Sequence, residues 1–562
     1  MFASLLVSVA AGVEPAQPKA VEIESSQGKA LVSLARQAMH EYLRSRTPAD
    51  KQIIPPDLEP LAKTKYASAV TLRSQGDVKA KVVQTGDSLL RNVIAAALKA
   101  MRSSSLPDRV TASVLDALTV EVEVIGPTVE VGEGDLAKLV RPGLTGVMSS
   151  RDTSSAYVLP SEAYEHSLDA KGVKTEALGL LGTPPKRWAI FAARHFAGYP
   201  GGRTVELYRG KLVPQPREVD EKLLVVAAEA IARHMIAHQG SDGLYGTAAG
   251  PAGSLLEHLH ATYAMSLLAR RSPDVDVSRS INAALSYVVK WLAQDARRAY
   301  VATENPDERP AATAWLVLIL AEQPDRPEIR QLRSKLLAAL KDAFGSGEAL
   351  APQVGAEPPK PKRKPPLKDT CLGYVALKLA LPEDDSFAKD KLPGILESIV
   401  TSAKIGTNFP GGGGPASAVD AAWVGQALTA ARFGPNAGYA STSAKLSAWL
   451  ESRLGKEPLP PDEAGGIVEG NAVSTAATAL SATMIAQASR QWSSQAAADR
   501  QQAKALAAKL QVFCYRMMFK PGEAFFAAKP DAWVGAVRAG PDASAVTVGA
   551  CAAALEAFLA AQ

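Results

Sequence analysis

The sequence predicts a multidomain protein: an N-terminal α+β domain followed by an all-α domain, an (α/α)6 toroid of six helical hairpins. Three observations carry the prediction. A chain of 562 residues is too long for one ordinary core. Helical and alternating apolar patterns are mixed up to about Leu212, whereas strand signals nearly vanish after Glu218. Beyond that point short apolar segments begin near Gly253, Ala311, Asp369, Ala416, Asn471 and Asp542, a repeat of roughly 50 to 70 residues. The expected division is a leader over 1–25, an α+β domain over 26–213, a linker over 214–221 and the toroid over 222–562.

GKALVSLARQAMHEYLRS places Leu31, Leu34, Ala35, Ala38 and Tyr42 at helical spacing. YASAVTLRS and VKAKVVQ then alternate, DSLLRNVIAAALKAM is helical, and LTVEVEVIGP alternates again. Runs of helix, strands, helix and strand describe an α+β domain. In the second part GSLLEHLHATYAMSLLA, AATAWLVLILAE, DTCLGYVALKLAL, ASAVDAAWVGQALTAA, NAVSTAATALSATMIAQA and DASAVTVGACAAALEAFLAA are apolar nearly all round, which suits an inner position. Most carry Ser, Thr or Asp in the first turn, where an oxygen can cap free amides. Their partners, such as DEKLLVVAAEAIARHMIAHQ and RPEIRQLRSKLLAALKDAF, are charged on one face and suit an outer ring. An open solenoid would show the same pairing; a toroid alone requires the last helix to pack against the first pair.

A net charge of +5 on this length implies no bulk attraction to nucleic acid or anionic lipid. Cys371, Cys514 and Cys551 lie far apart in apolar helical patterns and read as small buried hydrophobes. MFASLLVSVAAGVEPAQ has the apolar run and small-residue layout of a secretory signal, although it lacks a Lys or Arg at its start, so the protein is expected to be exported to periplasm, envelope or medium, with the cytoplasm as the alternative. No later run approaches the ~20 apolar residues of a membrane span. GAEPPKPKRKPPLK is basic and proline-rich, a solvated loop between hairpins, and without interleaved aromatics it does not predict nucleic-acid binding.

The first part resembles the AMMECR domain family, which also supplies component A of the AmmeMemoRadiSam systems. The likeness runs from about Ala30 to Arg209 and rests on LVSLARQAMHEYL, AVTLRSQGDVKAKV, NVIAAAL, LTVEVEVIGP, the RPGLTGV turn and YVLPSEA, in that order. It implies a fold more than an activity. The family's Leu-Arg-Gly-Cys-Ile-Gly motif falls here on Val78, Lys79, Ala80, Lys81, Val82 and Val83, so the cysteine and both glycines are absent. By alternation, Val78, Ala80 and Val82 should face the core while Lys79 and Lys81 face water. HQGSDGLYG, GGGGPASAVDAAWVGQAL, NAVSTAATAL and PGEAFFAAKPDAWVGAVR are similar to the turns before inner helices in the toroids of terpene-cyclase-like, epimerase-like and sugar-processing proteins.

Loops feeding inner helices crowd one mouth of such a toroid, where helix N-termini favour anions. Mouth acids include Asp242, Asp307, Glu308, Glu469 and, just inside helices, Glu257 and Asp420. The catalytic candidates are Asp242, Glu257, His258, Asp307 and Glu469, since two carboxylates 5 to 10 Å apart (order of magnitude, about one sugar ring) support glycoside chemistry. Loops are also acid-rich simply because they are wet. PEDDSF carries only Asp384 and Asp385 and reads as a helix N-terminus, not as a diphosphate-binding run. Asp242, Tyr245, Trp423 and Trp533 are the candidate ligand contacts.

His234 and His238 share a helix face and are weak metal candidates; no metal or other cofactor is expected. His258 and His260 are two apart and point about 200° from one another on a helix. His258 reads either as a lumen acid/base or, preferably, as a hydrogen-bonded core residue. The leading functional expectation is a binding or scaffolding protein holding a small molecule, carbohydrate or protein partner at the toroid mouth. The competing one is a toroid enzyme (hydrolase, lyase or epimerase type) acting on a carbohydrate or other polar substrate.

Overall fold

The computed structural model describes residues 17–45, 54–107, 110–212, 219–248, 253–345, 366–403, 417–432, 437–455, 459–470, 472–492, 497–542 and 544–561. The expected leader start, most of the linker, most of the basic proline-rich loop and the GGGGP run lie outside the described residues. The chain forms two compact units. One holds residues up to Leu212 together with Phe525–Lys529 and Asp542–Ser544, two short segments the sequence reading does not anticipate; the other holds the remainder.

The N-terminal unit opens with helix α1 (Ser25–Ser45), the hairpin β1 (Ala67–Ser74) and β2 (Asp77–Gln84), and α2 (Leu89–Ala100). There follow α3 (Ala112–Asp116), β3 (Thr119–Ile125), β4 (Val129–Val131), α4 (Leu136–Leu139), β5 (Thr145–Arg151), β6 (Ser154–Val158), α5 (Pro160–Glu165), α6 (Ala170–Leu181), β7 (Arg187–Gly198) and β8 (Thr204–Leu207). The strands form one antiparallel sheet in the order β2-β1-β3-β7-β5-β6, with β4 and β8 also pairing on β7. Strand side chains alternate between faces. Val70, Leu72, Val120, Val122, Val124 and Phe196 go to one face and bury against α1 and α2. The helix α1 fits there because Gly28 has no side chain: a Cβ would lie 2.0 Å from the Phe196 ring. Arg73, Glu121, Glu123 and His195 occupy the opposite face, in register, with Glu123 directly across from His195.

The second unit contains α7 (Glu221–Ala237), α8 (Leu255–Arg271), α9 (Val275–Val289), the ribbon β9 (Leu292–Gln294) and β10 (Ala299–Val301), α10 (Arg309–Ala321), α11 (Pro327–Gly345) and α12 (Leu367–Ala380). It continues through α13 (Ser386–Asp390), α14 (Leu392–Ser402), α15 (Ala418–Ala430), α16 (Ala437–Ser452), the ribbon β11 (Ile467–Glu469) and β12 (Ala472–Ser474), α17 (Thr475–Gln491), α18 (Ala497–Met517) and α19 (Val548–Leu559). Helix α8 packs on α10, α10 on α12, α12 on α15, α15 on α17, α17 on α19, and α19 returns to α8. That closure is the contact an open solenoid lacks, so the unit is an (α/α)6 toroid. Helices α7, α9, α11, α14, α16 and α18 pack outside this ring.

Burial follows the composition. From Ala311 to Leu320 every residue of α10 is buried, as an inner helix with neighbours on all sides requires. Side chains of Ser254, Ser417, Ser474 and Thr547 accept amide hydrogens at the starts of α8, α15, α17 and α19, each contributing on the order of 1 kcal/mol. The fourth outer segment divides into α13 and α14 at Lys391, just before Pro393, whose ring cannot sit in a helix interior. Among the described residues no helix is long and apolar enough to cross a membrane.

Candidate functional site

The first hairpin loop of the toroid is held by its own atoms. His258 is buried, its Nδ1 accepting the Tyr245 amide at 3.2 Å and its Nε2 donating to the Ala284 carbonyl at 3.2 Å. Burial lowers its pKa to about 4, so the ring is neutral and occupied on both nitrogens. Tyr245 is buried beside it with its hydroxyl 3.0 Å from Ser280 Oγ. Asp242 is exposed and its carboxylate accepts the Leu244 amide at 3.1 Å. Between them Gly243 has φ +95° and approaches α9 so closely that a Cβ would sit 2.1 Å from the Ala283 carbonyl oxygen. Gly243→Ala is expected to cost at least about 2 kcal/mol, from the left-handed backbone and the overlap together, read as a lowered urea midpoint.

The remaining sequence candidates are spread around the ring. Glu257 closes a capping box with Ser254. Glu469 accepts the Ala418 amide at 2.8 Å and so caps α15. Asp307 is exposed in the turn before α10. Trp423 is buried against Trp315 in an edge-on contact at 5.6 Å, and Trp533 meets Phe519 at 5.1 Å. His234 Nδ1 donates to the Ala532 carbonyl at 3.0 Å and His238 Nδ1 to the His234 carbonyl at 2.9 Å. Among the described residues no group of three His, Cys, Asp or Glu is placed to hold a metal.

One acid absent from the sequence candidates stands out at the mouth. Asp369, in the first turn of α12, has its pKa raised to about 6 by burial and by the negative fields of Glu308 and Asp420, which lie at the starts of the neighbouring α10 and α15. Helical spacing alone could not single it out, because convergence of three helix starts is a property of the closed ring. A carboxyl with a raised folded-state pKa binds more protons folded than unfolded between pH 4 and 6 (about the two pKa values), so it removes stability as pH rises through that window. Asp369→Asn should therefore match the parent below about pH 4 and exceed it by about 2 kcal/mol above pH 7, allowing for partial solvent screening. Melting temperatures across that range check this.

In the N-terminal unit the sequence expectation for Lys81 changes. Its Nζ does not face water: it bonds Glu162 at 2.6 Å and the Tyr157 carbonyl at 3.3 Å, half-buried under α5. Ala80 and Val82 do pack on the core side, but α5 covers the face that the pattern assigns to solvent. Val78 also departs from expectation, being 46% exposed near the hairpin turn, while Ala80 is buried. Lys81 adjoins a larger buried ionic layer. Arg73 bonds Glu121 at 2.5 Å and grips both Glu165 oxygens at 2.9 and 2.6 Å. His195 Nε2 lies 3.2 Å from Glu121 Oε2, and its ring meets Phe525 edge-on at 4.9 Å. Although burial works against it, contact with Glu121 and Glu123 raises the His195 pKa. Ser161 donates to Glu123 Oε1, and Glu123 Oε2 is buried without a hydrogen bond. Burial pushes the Glu123 carboxyl up.

This layer forms one wall of a cleft of about 520 Å³. Glu123, Ser161 and His195 line it together with Thr145, Arg194 and Arg209. Arg194 is held by Glu206 at 2.9 Å and Arg209 by Asp542 at 2.6 Å. Ser161 is committed to Glu123 and His195 to Glu121, so hydroxyl and imidazole are not joined as a nucleophile and its base would be.

Residues 32–196 match the model of the AMMECR1 family. The match covers under a third of the chain and coincides with the antiparallel sheet and its helices. A protein of Methanothermobacter thermautotrophicus is 27% identical over 172 residues, 30% of this chain and 88% of that one. A protein of Caldivirga maquilingensis is 28% identical over 179 residues, 29% of this chain and 78% of its own. An uncharacterized protein of Pyrococcus horikoshii matches 33% of this chain and 98% of its own at 24% identity, with a TM-score of 0.31. The α-1,6-mannanase GH76A of Salegentibacter sp. HEL1_6 matches 60% of this chain and 98% of its own at 9% identity, with a TM-score of 0.42. The unsaturated glucuronyl hydrolase of Bacillus sp. GL1 matches 60% and 96% at 13% identity, with a TM-score of 0.41. For the second unit, the ring closure in this chain itself carries the toroid assignment.

Proposed function

We propose that the protein binds a small polar ligand in the cleft of its AMMECR-like unit without transforming it. The observation that carries this reading is the wall of the cleft: Glu123 and His195 face each other across β3 and β7, and Glu123 Oε2 has no partner. A buried acceptor left unpaired costs about 1–3 kcal/mol, which a ligand hydroxyl or ammonium would recover. The thiol that the family motif would place on β2 is replaced by Lys81, whose ammonium is spent on Glu162. Among the described residues that line the cleft, Ser161 and His195 are each committed to a carboxylate. Thermal-shift screening against amines, polyols, amino acids and nucleosides should find a stabilising compound, and Glu123→Gln should weaken it. Export belongs to the same proposal; a mature N-terminus beyond Ala16, found by mass spectrometry of protein from its native host, would support it.

The competing reading, a toroid enzyme, is favoured by one specific observation. Asp369, with its pKa raised to about 6 beside Glu308 and Asp420, has the character of a proton donor next to carboxylate bases. Hydrolysis of a panel of nitrophenyl glycosides, reduced at least about a hundredfold in Asp369→Asn, would establish it; no turnover of any of them would remove it.

A further inference from the structure

We infer that the toroid has a second ligand site, for a polyhydroxy compound of monosaccharide size, inside the ring at the end where the inner helices finish. A cavity of about 370 Å³ lies there, lined from the C-terminal halves of α8, α12, α15, α17 and α19. It is at the opposite end from the mouth at which the helices begin. Side chains that line it hold buried hydrogen-bonding atoms of both kinds without partners. Gln426 Nε2 is a buried donor with no acceptor. Gln491 Nε2 donates to the Thr429 carbonyl at 3.1 Å, which leaves its Oε1 a buried acceptor with no donor. Glu556 is 4% exposed, and its Oε1 has no hydrogen bond either: His260 Nε2 is 2.8 Å away but off the hydrogen-bonding line.

Buried polar atoms without partners are rare, and three around one cavity call for an occupant that both donates and accepts. A hydroxyl does both; an ammonium or a phosphate does one. Arg271 and Arg490 donate to the carbonyls of Leu559 and Ala560 and keep their charge, and Arg432 also lines the cavity. Tyr263, Leu267 and Val375 supply apolar wall between the polar groups, as the C–H faces of a sugar or cyclitol require. The volume is at the lower end of the range for small-ligand pockets, which limits the occupant to about one ring.

This site is separate from the N-terminal cleft, and the experiment keeps the two apart. Full-length protein is titrated by calorimetry with myo-inositol, D-glucose and D-mannose as probes, in parallel with Gln426→Leu, Gln491→Leu and Glu123→Gln. At least one probe should bind with Kd below about 10 mM and weaken at least about tenfold in Gln426→Leu. Gln491→Leu should do the same, and carries the test if Gln426→Leu fails to fold. Absence of binding by all three probes, or affinity unchanged in both glutamine variants, overturns the inference. So does a probe whose binding is lost in Glu123→Gln alone, which would place it in the other cleft.

Discussion

Replacing Arg73 by Ala is expected to destabilise the N-terminal unit by about 3–5 kcal/mol, the usual consequence of removing one partner from a buried ionic system. Arg73 is 1% exposed, and its guanidinium serves Glu121 on one side and both oxygens of Glu165 on the other. It also donates to the Gly76 carbonyl at 2.9 Å, which ties down the β1–β2 turn, and lies 5.2 Å from the centre of the Phe525 ring. Without it, Glu121 stays buried with only His195 as a partner. Arg73→Lys should recover little, because an ammonium cannot grip Glu165 with two parallel bonds. Urea unfolding gives the magnitude. Hydrogen exchange gives the place: amides of β1, β2 and β3 should lose protection while those of α8 and α10 keep theirs.

The second large effect is expected at Arg538, in the toroid. Arg538 and Glu523 are both fully buried and joined at 3.0 Å, and Arg538 also donates to the Met517 carbonyl at 3.2 Å. Lys520 completes the group, 3.5 Å from Glu523 and bonded to the Tyr515 and Met518 carbonyls at 2.9 Å. Burial brings the Lys520 pKa down to about 8, with Glu523 pulling against it. Arg538→Ala removes a cation from beneath the Phe519 ring and a fully buried charged partner of Glu523, so a loss of about 3–5 kcal/mol is expected. Glu523→Gln places two cations together without a carboxylate, and the Lys520 pKa should fall further. Denaturation at pH 7 and pH 9 checks both: the penalty of Glu523→Gln should shrink at the higher pH, where Lys520 can release its proton.

The parts of the fold legible in sequence are those written in local periodicity. Helix α1 and the β1–β2 hairpin follow from spacing alone, and the six inner helices were visible as segments apolar on all sides. Ring closure was not, since hairpin pairing is common to toroids and solenoids; only the packing of α19 on α8 decides it. The polar layer was hidden for a different reason. TVEVEV and VKAKVV place their charged residues on one face of a sheet, and alternation assigns such a face to water. Here α5 covers it, and burial of Glu121 and Glu123 depends on long-range partners, Arg73 and His195, which no local pattern announces.

The histidines show the same division. Helix geometry separates His258 from His260, and they do have different surroundings: His258 bridges Tyr245 to Ala284, whereas His260 stacks on Trp315 at 4.7 Å beside Glu556. Which of the two would meet Trp315 and Glu556 could not be read from spacing, because that depends on the rotation of α8 within the ring.

The Glu123–His195 wall is assigned to binding without chemistry. Its most direct measurement is calorimetry of the wild-type protein and Glu123→Gln with whichever compound stabilises the protein most in the thermal-shift screen, followed by mass spectrometry of the recovered compound. Binding to the wild type is expected, with affinity weakened at least about tenfold in Glu123→Gln and the ligand recovered unchanged. Equal affinity in the variant, or conversion of the ligand to a product, would contradict it.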